Sequence, residues 1–165
     1  MIEGRGTVVI RRPAADIIAF VTDLNTYKRA DWKIGRVYEQ RREVEAGGDD
    51  VFVMRHGGTL RGLPGPPVRL RMRVAADGSG AHYRSDGGVA RWFLTFDGGF
   101  DFEPVIDDVD GAAATRVTHV ERFRFHWPCR VVAEPFLRAW IQRDVEAEVV
   151  RMKALLEAAP NAPSA

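Results

Sequence analysis

Thr115-Arg-Val-Thr-His-Val-Glu-Arg-Phe-Arg-Phe125 alternates almost without a break. Val117, His119, Glu121, Phe123 and Phe125 fall on one parity, and Arg116, Thr118, Arg122 and Arg124 on the other. A period of two is that of a strand with one packed face and one wet face. Val68-Arg-Leu-Arg-Met-Arg-Val74 repeats the pattern, with apolar residues at even numbers and arginines at odd ones. These two segments predict a half-buried antiparallel sheet, and the remaining elements are read around them.

Upstream, Gly6 to Ile10 is β-branched at Thr7, Val8, Val9 and Ile10 and reads as a first strand. Pro13 sits where a helix can start without loss, and Ala14 to Thr22 follows with apolar Ile17, Ile18, Phe20 and Val21. Asp23-Leu24-Asn25 reads as a break before a second short helix near Thr26 to Ala30. From Arg36 to His126 strand periodicity dominates, with Gly- and Pro-rich turns at 47–50, 57–67, 77–80, 87–88 and 107–111. Between Trp92 and Ile106 one parity survives Gly98-Gly99, which favours a single bent strand over a hairpin at those glycines. Pro135 to Ala158 carries Leu137, Trp140, Ile141, Val145, Val149, Met152 and Leu156 at helical spacing.

The expected fold class is therefore α+β: a curved antiparallel sheet of about seven strands wrapped around a long C-terminal helix, with two short helices after the first strand. One domain over residues 1–158 is expected, followed by a disordered tail at 159–165. A curved sheet that grips one helix tends to leave an internal cavity.

Composition narrows the function. The chain has 165 residues, 45% hydrophobic and 28% charged, with a net charge of +1. That suits one globular domain. Of 24 basic residues 21 are arginine, but 23 acidic residues nearly cancel them, so no nucleic-acid partner is expected. The arginine bias is read as the codon usage of a GC-rich genome. No apolar run is long enough for stable membrane insertion. A single cysteine, Cys129, and an N-terminus without an export signal make a cytoplasmic location the expectation. Oligomeric state has no signature here.

Several segments together resemble the START-related polyketide-cyclase and lipid-transport superfamily, the helix-grip proteins that include the birch-pollen allergen. Residues 7–32 resemble its opening of strand, proline, helix carrying Phe-Val-Thr-Asp, then tryptophan. Residues 115–125 resemble its last strand, and Arg151-Met-Lys-Ala-Leu-Leu-Glu157 the end of its last helix. The resemblance spans roughly residues 3–158. It implies a hydrophobic small-molecule pocket between sheet and helix, entered near the loop Gly57–Pro67. Cyclase relatives are thought to use a cavity arginine near the start of the fourth strand. The nearest match is Arg69, which parity puts on the polar face with Arg71 and Arg73.

For chemistry, His119 and Glu121 stand out. They share the apolar parity, and i and i+2 on a strand lie about 7 Å apart, close enough to address one ligand. They read either as an acid/base or ligand-orienting pair, or as a buried pair that fixes sheet against helix. Phe52, Met54, His56, Tyr83, Trp92, Phe96, Phe100, Phe102, Phe123, Trp140, Ile141 and Val145 are the expected pocket wall. The four histidines and Cys129 lack metal-ligand spacing, and no nucleotide-binding glycine motif or nucleophile elbow occurs, so neither metal nor cofactor is expected. The leading reading is a carrier or sensor of a lipid, polyketide or aromatic metabolite. The alternatives are a polyketide cyclase, aromatase or dehydratase using His119 and Glu121 for proton transfer, and a protein-docking module that uses the arginine-rich sheet face.

Overall fold

The structure is a computed structural model that describes residues 1–45, 49–60, 62–87, 89–107, 111–127 and 129–158. The expected turns at 47–48, 88 and 108–110 and the tail at 159–165 lie outside the described residues. Strand β1 (Ile2–Ile10) leads into helices α1 (Ala14–Thr22) and α2 (Leu24–Tyr27). Strands β2 (Ile34–Val44), β3 (Asp50–Leu60), β4 (Leu63–Val74), β5 (Gly80–Ser85), β6 (Leu94–Ile106) and β7 (Ala113–Phe125) follow as a meander. Helix α3 (Cys129–Ala158) closes the chain. The seven strands form one curved antiparallel sheet in the order β1-β7-β6-β5-β4-β3-β2, gripping α3. This is the helix-grip fold that the sequence pattern predicts.

Alternation in β4 works as expected: Leu70, Met72 and Val74 are buried towards the main core. On the other face Arg71 pairs with Glu43, Arg73 with Glu45, Arg116 with Glu103 and Arg122 with Glu3. The outer arginines are therefore largely neutralised by neighbouring strands. β6 runs through Gly98–Gly99 as one strand, paired with β7 from Leu94↔Phe125 to Ile106↔Ala113. A Cβ on Gly98 would collide with the Val120 carbonyl and lie 2.7 Å from the Tyr83 hydroxyl, which accounts for glycine there.

Helix α2 spans Leu24–Tyr27, across the expected break at Asp23-Leu24-Asn25, rather than Thr26 to Ala30, and three further boundaries differ from the sequence reading. β1 begins at Ile2 rather than Gly6, because Gly4 and Gly6 hide a strand whose glycines serve packing. A Cβ on Gly4 would meet Ile141 and Val145 at 3.0 Å, and one on Gly6 would meet the Val145 carbonyl at 3.0 Å. Their absence lets α3 lie directly on β1. The helix is also fastened to the strand backbone: the Gln142 amide accepts from Arg5 N–H (3.0 Å) and donates to Arg5 C=O (2.9 Å). Lys153 Nζ donates to Val9 C=O at 2.6 Å, and the Glu157 carboxylate accepts from Arg11 N–H at 2.9 Å.

Second, α3 starts at Cys129, with Pro135 inside it. Proline there removes only the bond to Val131, on an exposed first turn where water can serve the carbonyl. Third, the expected loop 57–67 is a hairpin arm, with Gly57↔Pro67, Thr59↔Pro64 and Leu60↔Leu63 in register around a bulge. Pro64, Pro66 and Pro67 are tolerated because β5 pairs only with residues 70–74, leaving that part of β4 an edge.

Candidate functional site

Between the sheet and α3 lies a cavity of about 350 Å³, in the lower part of the range for small-molecule sites. Leu24, Ile34, Leu70, Met72, Phe96 and Ile141 supply apolar wall, and Leu63, Pro64 and Gly65 of the β3–β4 hairpin border it. Leu63 is 72% exposed, so the cavity meets solvent beside that hairpin. The polar side chains on its wall are Tyr27, Asp31, Lys33, His56, Thr59, Tyr83 and Glu121, the Thr59 hydroxyl donating to the Trp32 carbonyl.

Five of these seven belong to one buried cluster centred on Lys33. Its ammonium lies 2.7 Å from Glu148, 2.8 Å from Asp144, 2.9 Å from Asp31 and 3.3 Å from Glu121. Tyr27 donates its hydroxyl proton to Glu148, and Tyr83 donates to Glu121 Oε1 at 3.1 Å. α3 brings Asp144 and Glu148 on one face, and Arg151 reaches back to Asp144 at 3.5 Å. The segment after α2 brings Asp31 and Lys33, with Asp31 Oδ1 accepting from the Lys33 backbone N–H at 2.9 Å. β5 and β7 contribute Tyr83, His119 and Glu121.

His119 sits behind the cavity wall, with no exposed surface, stacked on Phe100 at 4.1 Å between centroids. Its Nδ1 is 2.9 Å from Gly99 C=O, while Nε2 is 3.2 Å from Glu148 and 3.7 Å from Glu121. Burial opposes a charge on this ring, but Glu148 and Glu121 outweigh it and push its pKa up to about 10, so the ring is an imidazolium. Desolvation raises Glu148, yet Lys33 and His119 together hold it well below the carboxylate range. Asp31 is pushed up to about 7, chiefly by burial and then by Glu148. Burial raises both Tyr27 and Tyr83, reinforced by the nearby carboxylates, so both stay protonated phenols. Arrangements of this kind place a titrating carboxylate, Asp31, beside fixed charges of both signs.

A family model described as polyketide cyclase / dehydrase and lipid transport matches residues 1–157. The chain belongs to this family. No curated protein sequence matches it. Among solved structures, a Thermus thermophilus protein is similar at TM-score 0.64 and 15% identity, over 94% of this chain and 97% of that one. The di-domain ARO/CYC StfQ from the steffimycin biosynthetic pathway is similar at TM-score 0.57 and 13% identity, over 94% of this chain and 51% of that one. Norcoclaurine synthase from Thalictrum flavum, in complex with dopamine and hydroxybenzaldehyde, is similar at TM-score 0.52 and 12% identity, over 96% of this chain and 88% of that one. At such identities these likenesses speak to the fold alone.

Within this family fold the expected wall residues divide into four groups. His56, Tyr83, Phe96, Phe123 and Ile141 line the cavity, as does Glu121. Met54, Phe100 and Phe102 are instead core, Phe52 is half-buried against it, and His119 lies behind Glu121. Val145 and Trp140 pack with Ile2 and Leu137 where the helix presses on β1. Trp92 leaves the wall entirely. It ends a 3-10 turn at 89–92 just before β6, is 71% exposed, and stacks under the Arg91 guanidinium at 5.6 Å. Parity could not register that the strand begins two residues later.

Sequence reasoning missed Tyr27, Asp31, Lys33, Asp144 and Glu148. Two signals were available. Glu148 falls three residues after Val145, on the buried stripe of α3, where a carboxylate needs a partner. Lys33 is one of only three lysines in an arginine-biased chain. A compact ammonium with three N–H donors suits convergent carboxylates better than a planar guanidinium does.

His119, Glu121 and Glu148, and Asp31, Asp144 and Glu148, bring ligand-type atoms close enough to hold a metal ion. Their chemistry does not fit one well. The Lys33 ammonium already occupies the place among Asp31, Asp144 and Glu148.

Proposed function

We propose that the protein binds a hydrophobic small molecule, with an aromatic or alicyclic body, in the cavity between sheet and α3, as a carrier or sensor. The observation that carries this reading is an apolar-walled cavity of about 350 Å³ that ends on a buried ionic cluster. Apolar walls supply affinity roughly in proportion to the area they desolvate, and the polar end fixes orientation. Membership of a polyketide cyclase / dehydrase and lipid transport family supports a ligand of this class.

The test is native mass spectrometry of protein purified from its own host, paired with a cavity-filling variant. Leu70→Trp is expected to remove a co-purifying small molecule and to lower affinity for apolar probes at least tenfold, with the fold retained. Unchanged probe affinity in that variant would place binding elsewhere.

A second reading, acid–base chemistry of the cyclase, aromatase or dehydratase kind, is favoured by Asp31. This carboxyl is pushed up to about 7 and lies on the cavity wall, within the range where one group both gives and takes a proton. His119 and Glu121 enter this reading as positioning residues, with Asp31 as the proton carrier. Turnover of polyketone substrates, lost in Asp31→Asn with ligand affinity retained, is its expected signature. The docking-module alternative has less support, because the outer arginines are paired across strands.

A further inference from the structure

Hydrogen-bond donors are numerous at the polar end of the cavity, yet their protons already have partners. The Tyr27 hydroxyl donates to Glu148 and the Tyr83 hydroxyl to Glu121 Oε1. The Lys33 ammonium donates to Glu148 at 2.7 Å and Asp144 at 2.8 Å, and Asp31 Oδ1 lies 2.9 Å from it as an ion-pair partner. What remains towards the cavity is a set of acceptors. Glu121 Oε2 is buried without a hydrogen-bond partner among the described residues, although it forms an ion pair with the Lys33 ammonium at 3.3 Å.

His56 adds a second acceptor. Its Nδ1 lies 3.0 Å from the Gly57 carbonyl, which can only accept, so Nδ1 carries the ring proton. Burial lowers its pKa and keeps the ring neutral, leaving Nε2 as an acceptor on a residue of the wall. The phenol oxygens of Tyr27 and Tyr83, their protons directed at carboxylates, also present lone pairs. Asp31 carries a proton of its own only below the region of about 7.

We propose that the cavity selects ligands whose polar end donates hydrogen bonds, a phenol or alcohol on an apolar ring system, and discriminates against carboxylate and ketone ends. The inference rests on the reading that this cavity is the ligand site. A hydroxyl placed at Glu121 Oε2 gives a buried carboxylate oxygen the bond it lacks. A carboxylate or ketone brings a further acceptor against it, and both groups then remain desolvated and unpaired. A hydrogen bond to a charged acceptor is worth about tenfold or more in affinity.

Three probes with one ring system test this: 2-naphthol, 2-methoxynaphthalene and 2-naphthoate. Affinities are measured by calorimetry near about pH 8, above the value of about 7 to which Asp31 is pushed and below the ionisation of a phenol near about 10. The expected result is 2-naphthol binding about tenfold or more tightly than either of the others. In Glu121→Gln, which replaces one acceptor by an NH₂ donor, that advantage is expected to fall below about threefold, with no loss of affinity for 2-methoxynaphthalene. Naphthoate or the methyl ether binding as tightly as naphthol would overturn the proposal, and that comparison needs no variant. So would an equal loss for all three probes in Glu121→Gln. If no probe binds at all, the reading of the cavity as a ligand site fails, and the selectivity with it.

Discussion

Replacing Lys33 by methionine keeps most of the side-chain volume and removes one charge. It leaves Asp31, Glu121, Asp144 and Glu148 facing the vacated position, all within 3.3 Å of where the ammonium was. Coulomb attraction across 2.8 Å at an effective dielectric of about 20 is about 6 kcal/mol gross per pair. Desolvation of the ions offsets most of that, and the measured cost of breaking a buried pair from one side is about 3–5 kcal/mol. His119 and Arg151 remain as cations, so the expectation stays at that figure despite four carboxylates. For a domain of this size about 1 kcal/mol moves Tm by about 2–4 °C, giving a loss of about 6–20 °C.

The loss carries a pH signature. Lys33 lowers the raised Asp31 pKa, so without it Asp31 titrates higher still and the folded variant binds more protons than the unfolded chain. Stability of the variant relative to the native protein therefore recovers as pH falls from about 8 to about 5. Thermal unfolding followed by circular dichroism at those two pH values is the assay. A loss under about 3 °C at the higher pH, or a deficit that stays constant or widens on acidification, would refute the account of Lys33 as the counter-ion of the cluster.

Three further outcomes are expected. Ring-nitrogen NMR should find His119 doubly protonated through about pH 8 while His56 is neutral. Because the His119 pKa is raised in the fold, its contribution to stability is full below about 6.5 and lost as pH rises through about 10; a ring titrating near its ordinary value would contradict the charge assignment. Gly98→Ala should cost about 1–3 kcal/mol in urea unfolding and displace Tyr83 from Glu121, seen as a shifted Tyr83 ring resonance; a neutral effect would mean β6 has room the structure does not show. Arg73→Gln, on the outer face, should change stability by less than about 1 kcal/mol and leave probe affinity untouched, since exposed pairs contribute little.

Regular alternation made β4 and β7 legible, and with them the class of fold, because one face of each strand is packed and the other wet. The same rule read His119 and Glu121 correctly as inward-facing. It misplaced Trp92, because parity continues past the point where a strand gives way to a 3-10 turn. Pro135 drew the start of α3 six residues late, since a proline's preference for a first helical turn is stronger in sequence than its tolerance on an exposed one. The rest of the cluster escaped for a different reason. Asp31 and Lys33 lie in an irregular segment with no period, and their partners on α3 and β7 are far along the chain. Only the tertiary fold brings those charges together, so only their mutual neutralisation explains them.

Open sheet edges invite other chains to add a strand. β1 is one edge of this sheet, and the side chains of Gln142, Lys153 and Glu157 occupy backbone groups of Arg5, Val9 and Arg11 that a visiting strand would need. The gripping helix thus doubles as a guard against aggregation at that edge. The other edge, β2, has no such cover among the described residues; it carries two register shifts between Ile34 and Glu39, then Glu39, Arg41, Arg42 and Glu43. Irregular pairing and charge are the usual deterrents there. A variant that unfastens α3 from β1 should therefore aggregate as well as unfold, with fibrillar β-structure as its mark.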